Sequence, residues 1–345
     1  MKKILVGMSG GVDSSAAALL LKRQGYEVVG VTLDLLPGDA PFAAAEDAKK
    51  VAAQLGIAHH TINCKEEFSH HVMDYFTAEY LAGRTPNPCI ACNKHIKFGA
   101  MARIAGEFGC DAVATGHYAR IEQNADGRYL LKKSASAKKD QTYVLYTLSQ
   151  QQLSRAMFPL EGLEKEEIRA LAAEAGLAVA QKKDSQEICF IPDDDYVRFL
   201  SERCKELPPE GNFVDLSGNV LGRHKGIVHY TVGQRKGLGI AFGKPMFVVS
   251  VNPRDNTVTL GEAGSEFSST LVAEQTNFIP FDTLDSSMRV QAKVRYSAPA
   301  ADAWIEPVGD GVRVTFDTPQ RAVTPGQAVV FYDGDTVVGG GVIGR

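Results

Sequence analysis

Along the first half of the chain, stretches of strand length alternate with stretches of helical spacing. "KKILVGM", "EVVGVTL" and "AHHTINC" read as three short strands. Between them, "SSAAALLLKRQG" and "AAAEDAKKVAAQLG" place apolar residues on one helical face and stop at Gly25 and Gly56, glycine being the residue that most easily closes a helix. A long helix from about Lys65 to Leu81 follows, then a cysteine-bearing loop, a helix over "HIKFGAMARIAGEFG" and a strand over "DAVATGHY". "NADG" between "YARIE" and "RYLLKK" predicts a hairpin turn, and helices resume over "EKEEIRALAAEAG" and "DDYVRFLSERC". Such alternation predicts an α/β fold: a parallel sheet with helices on both faces, binding ligands beyond the carboxyl ends of its strands.

The pattern changes near residue 205. "KELPPEGNFVDLSGNVLG" is rich in Pro and Gly, and helical periodicity disappears after it. From Phe247 onward, alternating runs such as "MFVVSVN", "RVQAKVRYS", "GVRVTFD" and "QAVVFYDGDTVVGGGVI" are punctuated by Gly, Pro, Asp and Asn, which predicts an antiparallel β-barrel. Three domains are therefore expected: 1–204, a glycine-rich middle domain over 205–268, and a C-terminal barrel over 269–345. A length of 345 residues agrees with more than one core.

An apolar fraction of 44% and a charged fraction of 23% are those of a soluble globular protein. No apolar run approaches the ~20 residues that span a bilayer, and "MKKILVGMSGG" runs into a glycine turn without a cleavage site. The expectation is a cytoplasmic protein with no membrane partner. Six cysteines in that setting argue for catalytic or metal-binding thiols rather than a disulfide framework. The net charge of -4 carries no nucleic-acid footprint. Locally, however, Leu216 to Arg254 holds no Asp or Glu but six cations: Arg223, Lys225, Arg235, Lys236, Lys244 and Arg254. This is either a solvated basic face or a phosphate-binding surface.

"GMSGGVDSS" stands where the first strand meets the first helix. Gly10 and Gly11 allow a tight turn that points successive N–H groups and the helix N-terminus at an anion, with Ser9, Ser14 and Ser15 as further donors. A Walker loop needs a Lys–Ser/Thr pair after its last glycine, and none is present. The Ser-Gly-Gly-x-Asp-Ser pattern instead resembles the loop of PP-loop ATP pyrophosphatases, which split ATP between the α and β phosphates and adenylate a substrate oxygen. In that resemblance Asp13 would hold Mg²⁺ against the pyrophosphate. Leu33 and Gly116, at two other strand ends, are candidates to line the adenine.

"NPCIACNKHIKFG" places Cys89 and Cys92 three apart, and "KKDSQEICFI" presents Cys189 in a polar loop. Lys94 and His95 beside Cys92, and Lys182 and Lys183 before Cys189, are settings that raise the thiolate fraction. Cys64, Cys110 and Cys204 have no such neighbours and read as packing thiols. Together "GMSGGVDSS", "AGRTPNPCIACNKHIKFG", "ATGHYAR", "KKDQTYVLYTLS", "KKDSQEICFI", "TVGQRKGLGI" and "TPGQAVVFYDGD" resemble, in order along almost the whole chain, the tRNA-specific 2-thiouridylases (the MnmA family).

That resemblance implies ATP-dependent sulfur insertion at position 2 of wobble uridine 34 of tRNA, by adenylation of O2 and displacement of AMP by a protein-bound sulfur. It implies ATP contacts at Gly7, Met8, Ser9, Gly10, Gly11, Val12, Asp13, Ser14, Leu33 and Gly116, and target-base contacts at Asn87, Pro88 and Cys89. Cys92 matches the nucleophile and Cys189 the persulfide carrier, loaded by a sulfur-donor protein, either a cysteine desulfurase or a relay protein. His117, Lys139, Asp140, Gln141, Arg295, Tyr296 and Gln327 match positions that touch tRNA, and the barrel would hold the anticodon stem-loop.

Many family members carry Asp where this chain has Cys89. Three readings of the thiols follow. In a persulfide relay Cys92 resolves the sulfur on Cys189, chemistry that also allows a disulfide, with Cys89 a bystander. Alternatively, Cys89, Cys92 and Cys189 hold a [4Fe-4S] cluster with one open iron. A third reading is structural zinc through Cys89, Cys92 and His95. Two other functions stand beside the leading one: a different PP-loop enzyme, such as a 4-thiouridine synthase, and a tRNA-binding protein without chemistry.

Overall fold

The structure, a computed structural model, describes residues 1–38, 43–136, 138–182 and 188–344. The chain divides into two compact units. One comprises Met1–Val72, Cys89–Gln186 and Asp335–Val337; the other comprises Met73–Pro88, Glu187–Gly334 and Val338–Arg345.

The first unit is built on a five-stranded parallel sheet. Its strands β1 (Lys3–Gly7), β2 (Glu27–Asp34), β3 (Ala58–Asn63), β4 (Ala112–Ala114) and β7 (Ala156–Met157) lie in the order β3-β2-β1-β4-β7. β1 is central because Ile4, Leu5 and Val6 are all fully buried, each facing apolar neighbours. Helices α1 (Val12–Arg23) and α2 (Ala43–Leu55) cover the sheet, and α1 ends as its glycine requires, Gly25 having φ +85°. The order reverses at β1: the chain goes outward to β2 and β3, then returns to β4 on the other side. In open α/β sheets that reversal leaves a crevice at the carboxyl ends of the two central strands, here β1 and β4.

Two elements differ from expectation. The strand over "DAVATGHY" is confined to Ala112–Ala114, after which the chain passes through Gly116 into the hairpin β5 (Ala119–Gln123) and β6 (Tyr129–Lys133). The expected cysteine loop is instead helical. Helix α4 begins at Pro88–Ala91, passes through a π-helical stretch at Cys92–Ala100 and ends with Met101–Glu107. Pro88 can open it because the first turn of a helix needs no N–H from its first residue. The preceding helix α3 has the same construction, with Lys65–Phe68, a π turn at Ser69–Asp74 and Tyr75–Leu81. Helices α5 (Lys165–Glu174) and α6 (Tyr196–Arg203) match the other two expected helices.

The second unit has two β cores. The middle sheet orders β8 (Gly211–Val214), β9 (Val220–His224), β10 (Met246–Asn252) and β11 (Thr257–Glu262) as β10-β11-β8-β9, around Phe213, Tyr230, Val248 and Leu260. The barrel runs β12 (Phe267–Phe278), β15 (Gly311–Arg321), β14 (Ala301–Val308), β13 (Met288–Lys293), β16 (Ala328–Asp333) and β17 (Thr336–Ile343), and closes by pairing β12 with β17. Its strands alternate buried and exposed residues, so Val290, Ala292, Ala303, Ile305, Val312 and Val314 fill the interior. Among the described residues no helix is long and apolar enough to cross a membrane.

Candidate active site

The phosphate loop forms where β1 gives way to α1. Gly10 adopts φ +69°, and a Cβ there would stand 2.9 Å from the Ala44 Cα. The loop is cross-braced: the Ser9 N–H donates to Ser14 Oγ at 3.1 Å, and the Ser14 and Ser15 hydroxyls donate to the Gly11 carbonyl at 3.2 and 2.8 Å. Ser15 is fully buried and spent on that bond, so it is not the phosphate donor expected from its sequence position. Gly11, at the N-cap, supplies no side chain, which leaves the first N–H groups of α1 open to an anion. Met8 is buried and locked to β2, its N–H donating to the Val31 carbonyl while its own carbonyl accepts from Thr32 Oγ1. Leu33, half-buried at the end of β2, packs beside the core of Leu5, Val31 and Met101.

Gly116 sits at the crevice for a steric reason. A Cβ would fall 2.7 Å from both the Asp13 carbonyl carbon and the Ser14 nitrogen. The end of β4 therefore lies directly under the first turn of α1. Beside it, Tyr118 donates its hydroxyl to Asp13 Oδ1 at 2.8 Å, and Lys165 Nζ donates to both Asp13 oxygens at 2.7 and 2.8 Å. Lys165 is only 7% exposed and comes from the first residue of α5. The sequence reading missed it, because nothing local to "EKEEIR" distinguishes this lysine from a solvated one. Lys182 was assigned to Cys189 but donates to the Gly10 carbonyl at 3.0 Å and to Asp47 at 2.7 Å. Lys183 lies outside the described residues.

His117, next to Gly116, is buried, and desolvation together with Lys97 keeps its imidazole well below the ordinary histidine range. Lys97 Nζ is 3.5 Å from Nε2 and can only donate, so Nε2 is the acceptor and Nδ1–H donates to Thr115 Oγ1 at 2.8 Å. Gln141 zips to Tyr118, accepting from its N–H at 3.0 Å and donating its own N–H to the Tyr118 carbonyl at 2.9 Å. Burial pushes the Asp140 carboxyl up, against the opposing bond from Thr142. Lys139, half-buried, precedes them in the same turn.

Cys89 is exposed in the first turn of α4, and Cys92 is buried at the start of the π-helical stretch. His95 does not provide the expected cation. It stacks on His71 with ring centroids 4.6 Å apart and planes 8° from parallel, and burial followed by the charges of His71 and Lys94 lowers its affinity for a proton. Lys97, five residues after Cys92 in the same π-helical stretch, has its Nζ 3.5 Å from His117 Nε2. Cys64 and Cys110 are buried thiols raised by desolvation.

In the second unit, the residues before the cysteines are stapled to the barrel's "TPGQ" turn. The Thr85 N–H donates to the Pro325 carbonyl at 2.9 Å, and Gln327 Nε2 donates to the Thr85 and Pro86 carbonyls at 2.9 and 3.4 Å. Gly326, at φ +89°, has no room for a Cβ, which would meet Arg84 and Thr85 at 2.9 Å. Asn87 and Pro88 thus follow an anchored segment. Arg295 donates to the Val232 carbonyl and Thr324 Oγ1 at 3.0 and 2.6 Å, and only its neighbour Tyr296 is openly exposed. Cys189 is exposed and followed by Phe190, which is buried against Phe76 and Phe199. The acid-free basic stretch is partly neutralised from outside itself, by Glu262 on Lys244 and Glu210 on Arg223.

Among the described residues no group of three or more His, Cys, Asp or Glu side chains is placed to hold a metal ion. Cys89, Cys92 and His95 are therefore not arranged as a zinc site. Asp13 fits the magnesium assignment better: one carboxylate stands at the helix N-terminus beside the anion cradle.

A parallel sheet with a Walker-free phosphate loop at its switch point, followed by a small β domain and a barrel, defines an ATP-using enzyme of the PP-loop class. Sequence profiles described as "tRNA methyl transferase HUP domain", "tRNA methyl transferase PRC-barrel domain" and "Aminomethyltransferase beta-barrel domain" match residues 2–193, 197–262 and 268–343. The chain is 54% identical to the tRNA-specific 2-thiouridylase MnmA of Clostridioides difficile, over 99% of this chain and 98% of that one. To the protein of the same name from Acetivibrio thermocellus it is 55% identical, over 99% of each. A solved structure, the U34-tRNA thiolase NcsA of Methanococcus maripaludis with its [4Fe-4S] cluster, is 21% identical over 59% of this chain and 66% of that one, with a TM-score of 0.37. The chain belongs to the tRNA-specific 2-thiouridylase family.

Proposed function

We propose that this protein 2-thiolates uridine 34 of tRNA in an ATP-dependent reaction. The phosphate loop and Gly116 bind ATP, with Asp13 as the carboxylate for Mg²⁺. When bound, the metal would draw charge from the departing pyrophosphate. The uracil O2 attacks the α-phosphorus, making O2 a leaving group, and a sulfur then displaces AMP. Asn87, Pro88 and Cys89 are assigned to the base. His117, Lys139, Asp140, Gln141, Arg295, Tyr296 and Gln327 are assigned to the tRNA side, with Gln141, Arg295 and Gln327 positioning backbone by the bonds described above and Tyr296 available to touch RNA. The observation that carries the reading is the phosphate loop at the switch point, in a chain that matches this family from end to end.

For the sulfur, the relay fits better than the cluster. Cys189 is exposed, as a thiol loaded by a donor protein must be, whereas Cys92 is shielded. Cys189 carries the persulfide and Cys92 resolves it, closing a disulfide that an external dithiol reopens. The donor is a cysteine desulfurase or a relay protein. Cys92→Ser and Cys189→Ser should each abolish 2-thiouridine, read by mass spectrometry of tRNA hydrolysates, while tRNA binding persists. Thiolation intact in both would refute the assignment. Iron and acid-labile sulfide in anaerobically purified protein, lost in Cys89→Ala together with activity, would replace the relay by the cluster.

A further inference from the structure

Cys92 opens a π-helical stretch of nine residues, Cys92–Ala100. Such helix is rare, is usually a single turn long and gathers at functional sites, so what holds this one bears on the thiol. Two side-chain amides tie it to the segment 142–152. Gln152 Nε2 donates to the Lys94 and Phe98 carbonyls, both at 3.0 Å. Asn93, the residue next to the thiol and only 1% exposed, donates Nδ2 to the Val144 carbonyl at 3.1 Å. Its Oδ1 is buried and has no hydrogen-bond partner among the described residues. A buried acceptor left unmade costs stability, so packing alone does not account for an amide at this position; what its other half holds does. The Val144 N–H donates to the Gln141 carbonyl at 3.1 Å, Gln141 is zipped to Tyr118, and the Tyr118 hydroxyl donates to Asp13. An unbroken run of hydrogen bonds therefore leads from the residue beside Cys92, through the turn that follows Lys139 and Asp140, to the phosphate loop.

We propose that Asn93 is a positioning residue for Cys92: its bond to Val144 fixes the start of the π-helical stretch against the turn at 139–144, and so sets the thiol relative to the activated base. Asn93 touches no reacting atom in this assignment. Misplacement of a reacting group by about 1 Å costs on the order of a hundredfold in rate, and one peptide separates Asn93 from the sulfur-bearing residue. The inference deepens the proposed function and rests on its assignment of Cys92.

The test uses full-length protein with tRNA, MgATP, and a cysteine desulfurase with cysteine as the sulfur source. Two events are timed: the first-turnover burst of pyrophosphate, which reports activation of the base, and formation of 2-thiouridine. Asn93→Ala should slow 2-thiouridine formation at least about tenfold, with the burst and the KM values for ATP and tRNA within about twofold. Asn93→Asp supplies a readout that a merely structural role would not move. An ionised carboxylate cannot donate to Val144, whereas a protonated one can, and burial favours the protonated form. The charges around it, Lys94, His95 and Lys97 on α4 and Lys139 and Asp140 before the turn, are the same in both proteins, so activity is read as the ratio to unaltered protein at each pH. That ratio should be as low as for alanine near pH ~8.5 and recover to within about threefold near pH ~6. Should Asn93→Ala not fold, the pH ratio of Asn93→Asp decides alone. A ratio that stays flat with pH, or a loss that falls on the burst or the KM values, overturns the proposal. Full thiolation by Cys92→Ser, or no burst from the unaltered protein, would instead refute the reading on which it rests.

Discussion

Gly116→Ala tests whether the end of β4 and the first turn of α1 form one rigid cradle. The added methyl would lie 2.7 Å from two backbone atoms, the Asp13 carbonyl carbon and the Ser14 nitrogen, and 3.0 Å from the Asp13 Cβ. Optimal carbon contacts are about 3.5–4.0 Å, so the gap must open by roughly 0.8 Å. Rotamer changes cannot supply this, because backbone is in the way. The turn cannot shift freely either, since Asp13 is tied to Lys165 and Tyr118 on its other side. Overpacking of this kind costs about 1–3 kcal/mol. If that strain is relieved by moving the N–H cradle, ATP affinity should fall about fivefold to a hundredfold, at ~1.4 kcal/mol per tenfold. The assay is urea unfolding together with ATP titration, with Gly106→Ala as control. Gly106 is helical and a Cβ there meets nothing within 4 Å, so alanine should stabilise by about 0.4–1 kcal/mol. A Gly116→Ala protein that matches this control in stability and binds ATP normally would refute the reasoning.

Gln327→Ala removes the amide that holds the Thr85 and Pro86 carbonyls, and should cost about 1–2 kcal/mol. Hydrogen exchange should accelerate at the Thr85 and Asn87 amides; unchanged protection there would mean the staple is immaterial. Stability should also fall on mild acidification. Burial holds His59, His95, His117, His224 and His229 below the ordinary histidine range. Below pH ~6.5 the unfolded chain takes up protons that the folded chain refuses, so stability is complete above that pH and is lost as pH falls. His117, shifted furthest, contributes the largest share of that loss. His117→Gln should remove that share of the slope, and a melting temperature flat from pH 7 to 5 would contradict it.

The fold was legible wherever the signal is local. Runs such as Ile4–Val6 read as buried strand, and Gly25 and Gly56 mark helix ends because they take φ of +85° and +61° there. The barrel was legible from alternation alone, since closing a sheet leaves one face of each strand inside. Harder to see was α4. Cysteines between Pro88 and a helical pattern read as loop, yet a proline is a valid first residue of a helix, and propensity cannot tell which of the two it begins. The site was legible in its loop and only there. Motif positions such as Arg295 and Gln327 match the family pattern, but a pattern of residue types does not say whether a side chain points at a ligand or at its own backbone. Both donate inward, to Val232, Thr324, Thr85 and Pro86.

The positive charge of the site was least legible, and the reason is architectural. A Walker loop carries its lysine in the motif, so sequence displays the cation beside the glycines. In this chain "GMSGGVDSS" has none, and three lysines arrive from elsewhere: Lys97 from α4 onto His117, Lys165 from α5 onto Asp13, and Lys182 from beyond α5 onto the Gly10 carbonyl. They are separated by 68 and 17 positions in sequence, and each is fixed by a different acceptor around the crevice between β1 and β4. Spreading the charge in this way suits a reaction that must hold one anion, intact ATP, and then two, AMP and pyrophosphate. Lys165 is paired with Asp13 and Lys182 with Asp47, whereas Lys97 rests on a neutral imidazole.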